Sequence, residues 1–210
     1  MKVRSVNTGQ PTIIEWRGKN VSTGIYKMPT PSAIYLGITD VESDSVVDRK
    51  HHGGIDKACY LYSTDHYPYW KQLYPDLPWN WGMFGENVSV DGLKESDLNI
   101  GDIIRVGKAE IQISEPRQPC YKLGVRFGNQ RVIKDFINFG HSGTYVRVLT
   151  PGYVEPGDTL KIIQKDSYRI NLQTVFQQLY HGNDKSFIEK ALNHPYLAES
   201  CKRGLKRKLE

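Results

Sequence analysis

The sequence predicts a mainly β, α+β chain: a barrel-like sheet with a few attached helices over residues 1–165, then a three-helix segment over 166–210. Three observations carry this reading. Short apolar-alternating segments recur through the first part, bounded by Gly, Pro, Asn and Asp, the pattern of strands joined by turns. Two similar phrases, LNIGD ending at Asp102 and VEPGD ending at Asp158, each lead into an apolar run, and a Gly-Asp corner turns a chain sharply into a strand. After about Lys165 the pattern changes to helical segments.

Residues 2–6 alternate as a strand. Thr12–Trp16 and residues 20–25 flank Arg17-Gly18-Lys19, a hairpin turn. Residues 33–38 form the next strand, and Cys59–Ser63 follows the glycine pair Gly53-Gly54. Residues 64–73 read as a helix in which Pro68 is tolerated only near the first turn. Strands over 87–90, Ile103–Val106, 109–113, 145–149 and Leu160–Gln164 complete the set, and 130–138 has helical spacing. Many short strands with non-local partners argue for a barrel-like sheet. The tail holds helices over 171–180, 184–192 and 195–209, with Asp184 as an N-cap and Gly182 as a C-cap. Each is too short to stand alone and must pack on its neighbours or on the body.

Composition narrows the function classes. An apolar share of 39% with 13 Tyr is enough for a core, and the net charge of +5 is concentrated in the tail KRGLKRKLE. That tail lacks the interleaved aromatics of a nucleic-acid surface, so nucleic acid is not the expected partner. Three cysteines without a CxxC cannot all pair, which argues for a reducing compartment. With no apolar signal core and no run approaching ~18 apolar residues, the expectation is a soluble cytoplasmic protein without membrane contact.

The chemistry gathers around residues 115–124, EPRQPCYKLG. Cys120 follows a strand at the mouth of a strand-to-helix turn, and Arg117 and Lys122 place positive charge near its sulfur. Cationic surroundings favour thiolate, the nucleophilic and metal-binding form. On this pattern alone, a half-buried structural cysteine beside chance charges is the plainer reading. Three further stretches are candidates for chemistry, although Lys27 also reads as a surface lysine and GMFGEN as a plain turn. In TGIYKMPTP (residues 23–31), Lys27 stands between strands. DRKHHGGIDK (residues 48–57) combines Arg49, Lys50, His51, His52 and Lys57 with Gly53 and Gly54. Adjacent histidines lack zinc-pair spacing and GxxxxGK[ST] is absent, so the motif reads either as an anion cradle or as a polar loop. In GMFGEN (residues 82–87), two glycines permit close backbone approach while Glu86 and Asn87 add a carboxylate and an amide.

Taken in order, TGIYKMPTP, DRKHHGGIDKACYLY, GMFGENVSVDGL, LNIGD and ISEPRQPCYKLG resemble the MOSC domain, the family named after the C-terminal part of molybdenum cofactor sulfurase. The tail is similar to the three-helix extension of its stand-alone bacterial YiiM-type members. The resemblance implies a MOSC-type β-barrel that binds molybdenum cofactor, with Cys120 as the molybdenum ligand and catalytic residue. It implies cofactor binding by Lys27, Arg49, His51, His52, Gly53, Gly54, Lys57, Asn87 and Arg117, with Asp56 ordering its loop and Cys59 and Cys201 structural. It also brings pyridoxal phosphate binding as a family-level property. The implied activity is reduction of N-hydroxylated compounds such as hydroxylaminopurine-type bases, releasing an amine and water. No nucleotide fingerprint, flavin motif or iron–sulfur cysteine set is present in the sequence, so electrons are expected from separate reductase proteins. Homodimerisation is left open. Two other readings compete: a non-catalytic molybdenum cofactor or sulfur carrier, and a cofactor-free cysteine hydrolase using His51 or His52 as base.

Overall fold

Arg17 and Gly18 both adopt positive φ, 52° and 71°, so β2 (Thr12–Trp16) and β3 (Lys19–Thr23) join through a two-residue turn with Trp16 opposite Lys19. Both central residues in the left-handed region give the turn whose twist matches a hairpin. Lys19 therefore belongs to the strand, and the turn is one residue shorter than expected. The coordinates are a computed structural model that describes residues 1–49 and 53–209; His51 and His52, with Lys50, lie outside the described residues.

The main sheet takes eight further strands. They are β1 (Lys2–Thr8), β4 (Met28–Pro29), β6 (Cys59–Ser63), β7 (Val88–Asp91), β8 (Ile103–Val106), β9 (Ala109–Pro116), β10 (Thr144–Thr150) and β12 (Leu160–Gln164). Their order is β12-β8-β9-β10-β6-β7-β1-β4, and a separate pair joins β5 (Ile34–Leu36) to β11 (Gly152–Val154). The β6–β7 pair is parallel, so the architecture is a mixed sheet within an α+β chain. Where a barrel was expected, the described residues show an open strand order with one corner drawn together. There Lys2 bridges Thr159, the Leu160 N–H donates to the Met1 carbonyl at 3.0 Å, and the Val3 N–H donates to the Asp158 carbonyl at 2.8 Å. Both Gly-Asp phrases make the predicted corners, with φ of 87° at Gly101 and 99° at Gly157.

Helix α1 (Tyr67–Leu73) follows a 3-10 turn, Thr64–His66, and carries Pro68 in its first turn, where no intrahelical N–H is lost. Helices α2 (Tyr121–Arg126) and α3 (Arg131–Phe139) lie between β9 and β10. In the tail, α4 (Leu172–Tyr180), α5 (Lys185–Leu192) and α6 (Glu199–Lys206) follow. Asp184 caps α5 by accepting from the Phe187 N–H at 3.0 Å, as its residue type predicts. The last helix is shorter than the 195–209 expected, since Pro195–Leu197 lead into it as a turn.

Apolar packing crosses the change of texture at residue 165. Leu172, Val175, Ile188, Cys201 and Leu205 bury themselves in the same cluster as Val6, Ile104, Ile111, Ile113 and Val146 of the sheet. A second cluster is aromatic, built from Tyr62, Tyr67, Trp70, Phe84, Phe136 and Phe176, and here too a tail residue contributes. Removing one such side chain costs both transfer free energy and a cavity. Leu172→Ala is expected to lower stability by about 2–5 kcal/mol, and sheet and helices to unfold together. Urea denaturation followed by far-ultraviolet dichroism and tryptophan fluorescence checks this, since two separated transitions would mark independently folding parts.

Candidate functional site

Strand β9 runs three residues beyond its predicted end and delivers Glu115 and Pro116 before the chain leaves the sheet. Tyr145 of β10 stands opposite both Glu115 on one side and Tyr60 of β6 on the other. The chain then passes Arg117 and reaches Cys120, the residue that immediately precedes α2, in extended conformation and with its side chain making no capping bond. A strand-to-helix turn at Cys120 was predicted, and this is where it lies.

Cys120 opens on a cleft of about 680 Å³. Lys27, Lys57, Asn87 and Arg117, predicted from four separate stretches, line it together with Cys120, and Lys122, Asp44, Asp48, Tyr60 and Tyr145 join them. Four cationic side chains around one thiol suit a polyanionic ligand. Arg117 is buried beneath the rings of Tyr60 and Phe136, its guanidinium carbon 5.6 Å and 5.0 Å from their centroids. Its Nη1 has no hydrogen-bond partner among the described residues. Burial alone would lower the Arg117 pKa, but Tyr60, Tyr145 and Cys120 outweigh it and hold the guanidinium above its ordinary value.

Other members of the predicted set play different parts. Arg49 is 63% exposed, pairs with Asp40 at 2.9 Å and does not line the cleft. Gly53 and Gly54 also stand outside the lining, and their role is in the chain path. A Cβ on Gly53 would meet the Arg49 Cα at 3.0 Å, while Gly54, at φ 98°, starts the turn Ile55–Lys57. That turn presents Lys57, and Asp56 secures it by pairing with Arg147, as the loop-ordering role implied. Asn87 faces the cleft with its amide already engaged. Its Oδ1 accepts from the Tyr60 N–H at 3.2 Å, and its Nδ2 donates to Asp44 at 2.9 Å.

Asp44 was not foreseen, because it sits in a polar run with no motif. It pairs with Lys27, receives Asn87 and accepts the Gly9 N–H at 2.9 Å, tying three chain segments to one carboxylate. Tyr60 and Tyr145 were missed for a related reason: only sheet register brings them together. Glu86 turns away from ligand chemistry. It accepts from the Gly82 N–H at 2.8 Å, the Phe84 N–H at 3.1 Å, Ser89 Oγ at 2.8 Å and the Tyr67 hydroxyl, and so folds its own loop. The glycines of that loop serve packing. A Cβ at Gly82, where φ is 84°, would stand 2.8 Å from the Lys27 carbonyl oxygen.

Burial separates the thiols as expected. Cys59 is pushed up to about 12 and Cys201 well above the ordinary thiol range by desolvation, whereas Cys120 is only half-buried. No helix of the described residues is long and apolar enough to cross a membrane.

The sequence profile of the MOSC domain matches residues 48–161. The chain is 37% identical to YflK of Bacillus subtilis (strain 168) over 98% of its own length and 93% of that protein's. It superposes on the crystal structure of YiiM from Geobacillus stearothermophilus with a TM-score of 0.83 at 31% identity, covering 100% of this chain and 99% of that one. It is also 33% identical over 151 residues to a protein named "Reductase" of Gibberella moniliformis (strain M3125 / FGSC 7600), covering 70% of this chain and 27% of that longer protein.

Iodoacetamide at neutral pH is expected to alkylate Cys120 in the folded protein and to spare Cys59 and Cys201 until denaturant is added. Peptide mass spectrometry of wild type and Cys120→Ser reads this directly. Modification of either buried thiol at the rate of Cys120 would contradict the burial described.

Proposed function

The chain belongs to the MOSC domain family, and from that premise we propose that it holds molybdenum cofactor in the Cys120 cleft and reduces N-hydroxylated compounds to amines. The observation that carries this reading is the pairing of a half-buried thiol with a buried guanidinium that keeps an unpartnered N–H. A soft sulfur donor suits molybdenum, and a desolvated, permanently charged Arg suits a phosphate or pterin oxygen. The residues present therefore fit the group. Such donor chemistry favours molybdenum cofactor over pyridoxal phosphate.

Cys120 Sγ would ligate the metal, with Arg117, Lys57, Lys122 and Lys27 holding the anionic parts of the cofactor. Asn87 and Asp44 keep Lys27 in place, and Asp56 does the same for Lys57 through its turn. When bound, the cofactor supplies the two-electron redox chemistry by which an N-hydroxyl compound, two protons and two electrons become an amine and water. Burial pushes the Tyr145 phenol up to about 12, so it keeps its proton at neutral pH and offers the cleft a hydrogen-bond donor. Electrons come from a separate reductase protein, and the substrate shares with the cofactor the cleft that Cys120 lines. A hydroxylaminopurine-type base is the substrate class we favour. The non-catalytic carrier reading needs the same cleft and differs only in turnover.

Protein from a molybdenum-replete host should carry molybdenum and reduce an N-hydroxylated base with an artificial electron donor. Cys120→Ser should keep its dichroism spectrum and lose reduction. Arg117→Met should weaken cofactor retention roughly tenfold to a hundredfold, the worth of about 1–3 kcal/mol, while Lys206→Ala in the basic tail should not. Metal analysis per chain, beside turnover, decides between outcomes. Wild-type turnover in Cys120→Ser would sink the assignment, and molybdenum without turnover in wild type would favour the carrier.

A further inference from the structure

Away from the cleft, three segments remote in sequence bring their polar side chains to one point. His66 ends the 3-10 turn before α1, Glu95 begins the turn Glu95–Asp97 after β7, and His141 lies in the loop between α3 and β10. Glu95 Oε2 is 3.3 Å from His66 Nε2 and 3.1 Å from His141 Nδ1, and all three ligand atoms lie within 4.8 Å of one another. None of the three residues lines the Cys120 cleft.

From this geometry we infer that His66, Glu95 and His141 form a binding site for a divalent transition-metal ion of the zinc class. Zinc takes imidazole nitrogen and carboxylate oxygen at about 2.0–2.2 Å, so neighbouring ligands in a tetrahedral site stand about 3.4 Å apart. The two nitrogen–oxygen separations, 3.3 and 3.1 Å, fall near that spacing. A mixed N,N,O donor set is borderline in softness, which selects zinc and its neighbours over calcium or magnesium.

The surroundings are built to hold the ligands. Glu95 is 1% exposed, and its other oxygen, Oε1, accepts the Gly143 N–H at 2.9 Å, which leaves Oε2 turned toward the two rings. His66 is fixed by the edges of Tyr62 and Phe139, at centroid distances of 5.6 Å and 5.3 Å. His141 is 35% exposed and gives an ion a way in, as well as room for a water as fourth ligand. Nε2 of His66 and Nδ1 of His141 both face Glu95 Oε2, so an ion held between them would meet one nitrogen from each ring and one carboxylate oxygen. The bound ion would tie the turns at 64–66 and 95–97 to the loop that leads into β10.

Chelator-stripped protein in a Cys120→Ser background, which removes the cleft thiol as a competing ligand, is titrated with zinc chloride against a chromogenic chelator. One equivalent of zinc is expected, with affinity falling at least about tenfold in His141→Ala and in His66→Asn. Zinc should also raise the melting temperature of the parent and leave that of His141→Ala unchanged, and dichroism confirms that each variant is folded. Failure of the parent to take up zinc overturns the site. So does undiminished uptake by both histidine variants, which would leave the cluster a hydrogen-bonded pin only.

Discussion

A carboxylate shut away from water must be met by cations and donors, and Glu115 is where this chain meets that demand. It is 1% exposed and desolvation pushes its pKa up, yet Lys57 stands 3.4 Å away and Ser200 Oγ donates to both oxygens at 2.8 and 3.0 Å. Lys57 belongs to the cleft, Ser200 to α6 and Glu115 to β9, so one buried charge holds a wall of the site, the sheet and the tail in mutual register. Removing one partner of such a pair typically costs about 3–5 kcal/mol, because the other charge stays buried. Two residues after Glu115 comes Arg117, and three later Cys120. The position of the thiol thus follows from the way β9 is anchored.

The cleft walls depend on a second constraint, close backbone approach. A Cβ on Gly24 would come within 1.9 Å of the Ser45 carbonyl oxygen, and the strap that carries Asp44 and Asp48 could not lie where it does. Gly82 plays the same part against Lys27. In both places glycine acts through the absence of a side chain, and the consequence is that Lys27, Asp44 and Asn87 reach one hydrogen-bonded group. The cations of the cleft are thus placed by protein contacts before any ligand arrives, and such placement reduces the ordering cost of binding.

The buried polar groups of the molecule divide into those whose partners lie within the fold and those left with an idle atom. Glu86 spends its oxygens on its own loop, and Asp102 accepts from Asp166, Asn99 and Lys165 at the corner before β8. Arg117 is different, since a buried guanidinium with an idle N–H costs stability unless something fills the space beside it.

Local chemistry was enough to read much of this protein from its residues. Hairpin glycine, Gly-Asp corners, the Asp184 cap and the helix-tolerant Pro68 act through their immediate neighbours, and so did the charge around Cys120. The family pattern drew Lys27, Lys57, Asn87, Arg117 and Cys120 toward one site, and they do share one cleft. Other features required the folded chain. Short strands such as Met28–Pro29 and Gly152–Val154 have no periodicity to read and exist only through their partners. Asp44, Tyr60 and Tyr145 carry no motif, and Arg49 left the expected cradle for Asp40 because a loop's direction is set by what it packs against. The three segments of the His66–Glu95–His141 cluster are far apart in the chain, and spacing along a sequence holds no information about side chains that only β7, β10 and α1 bring face to face.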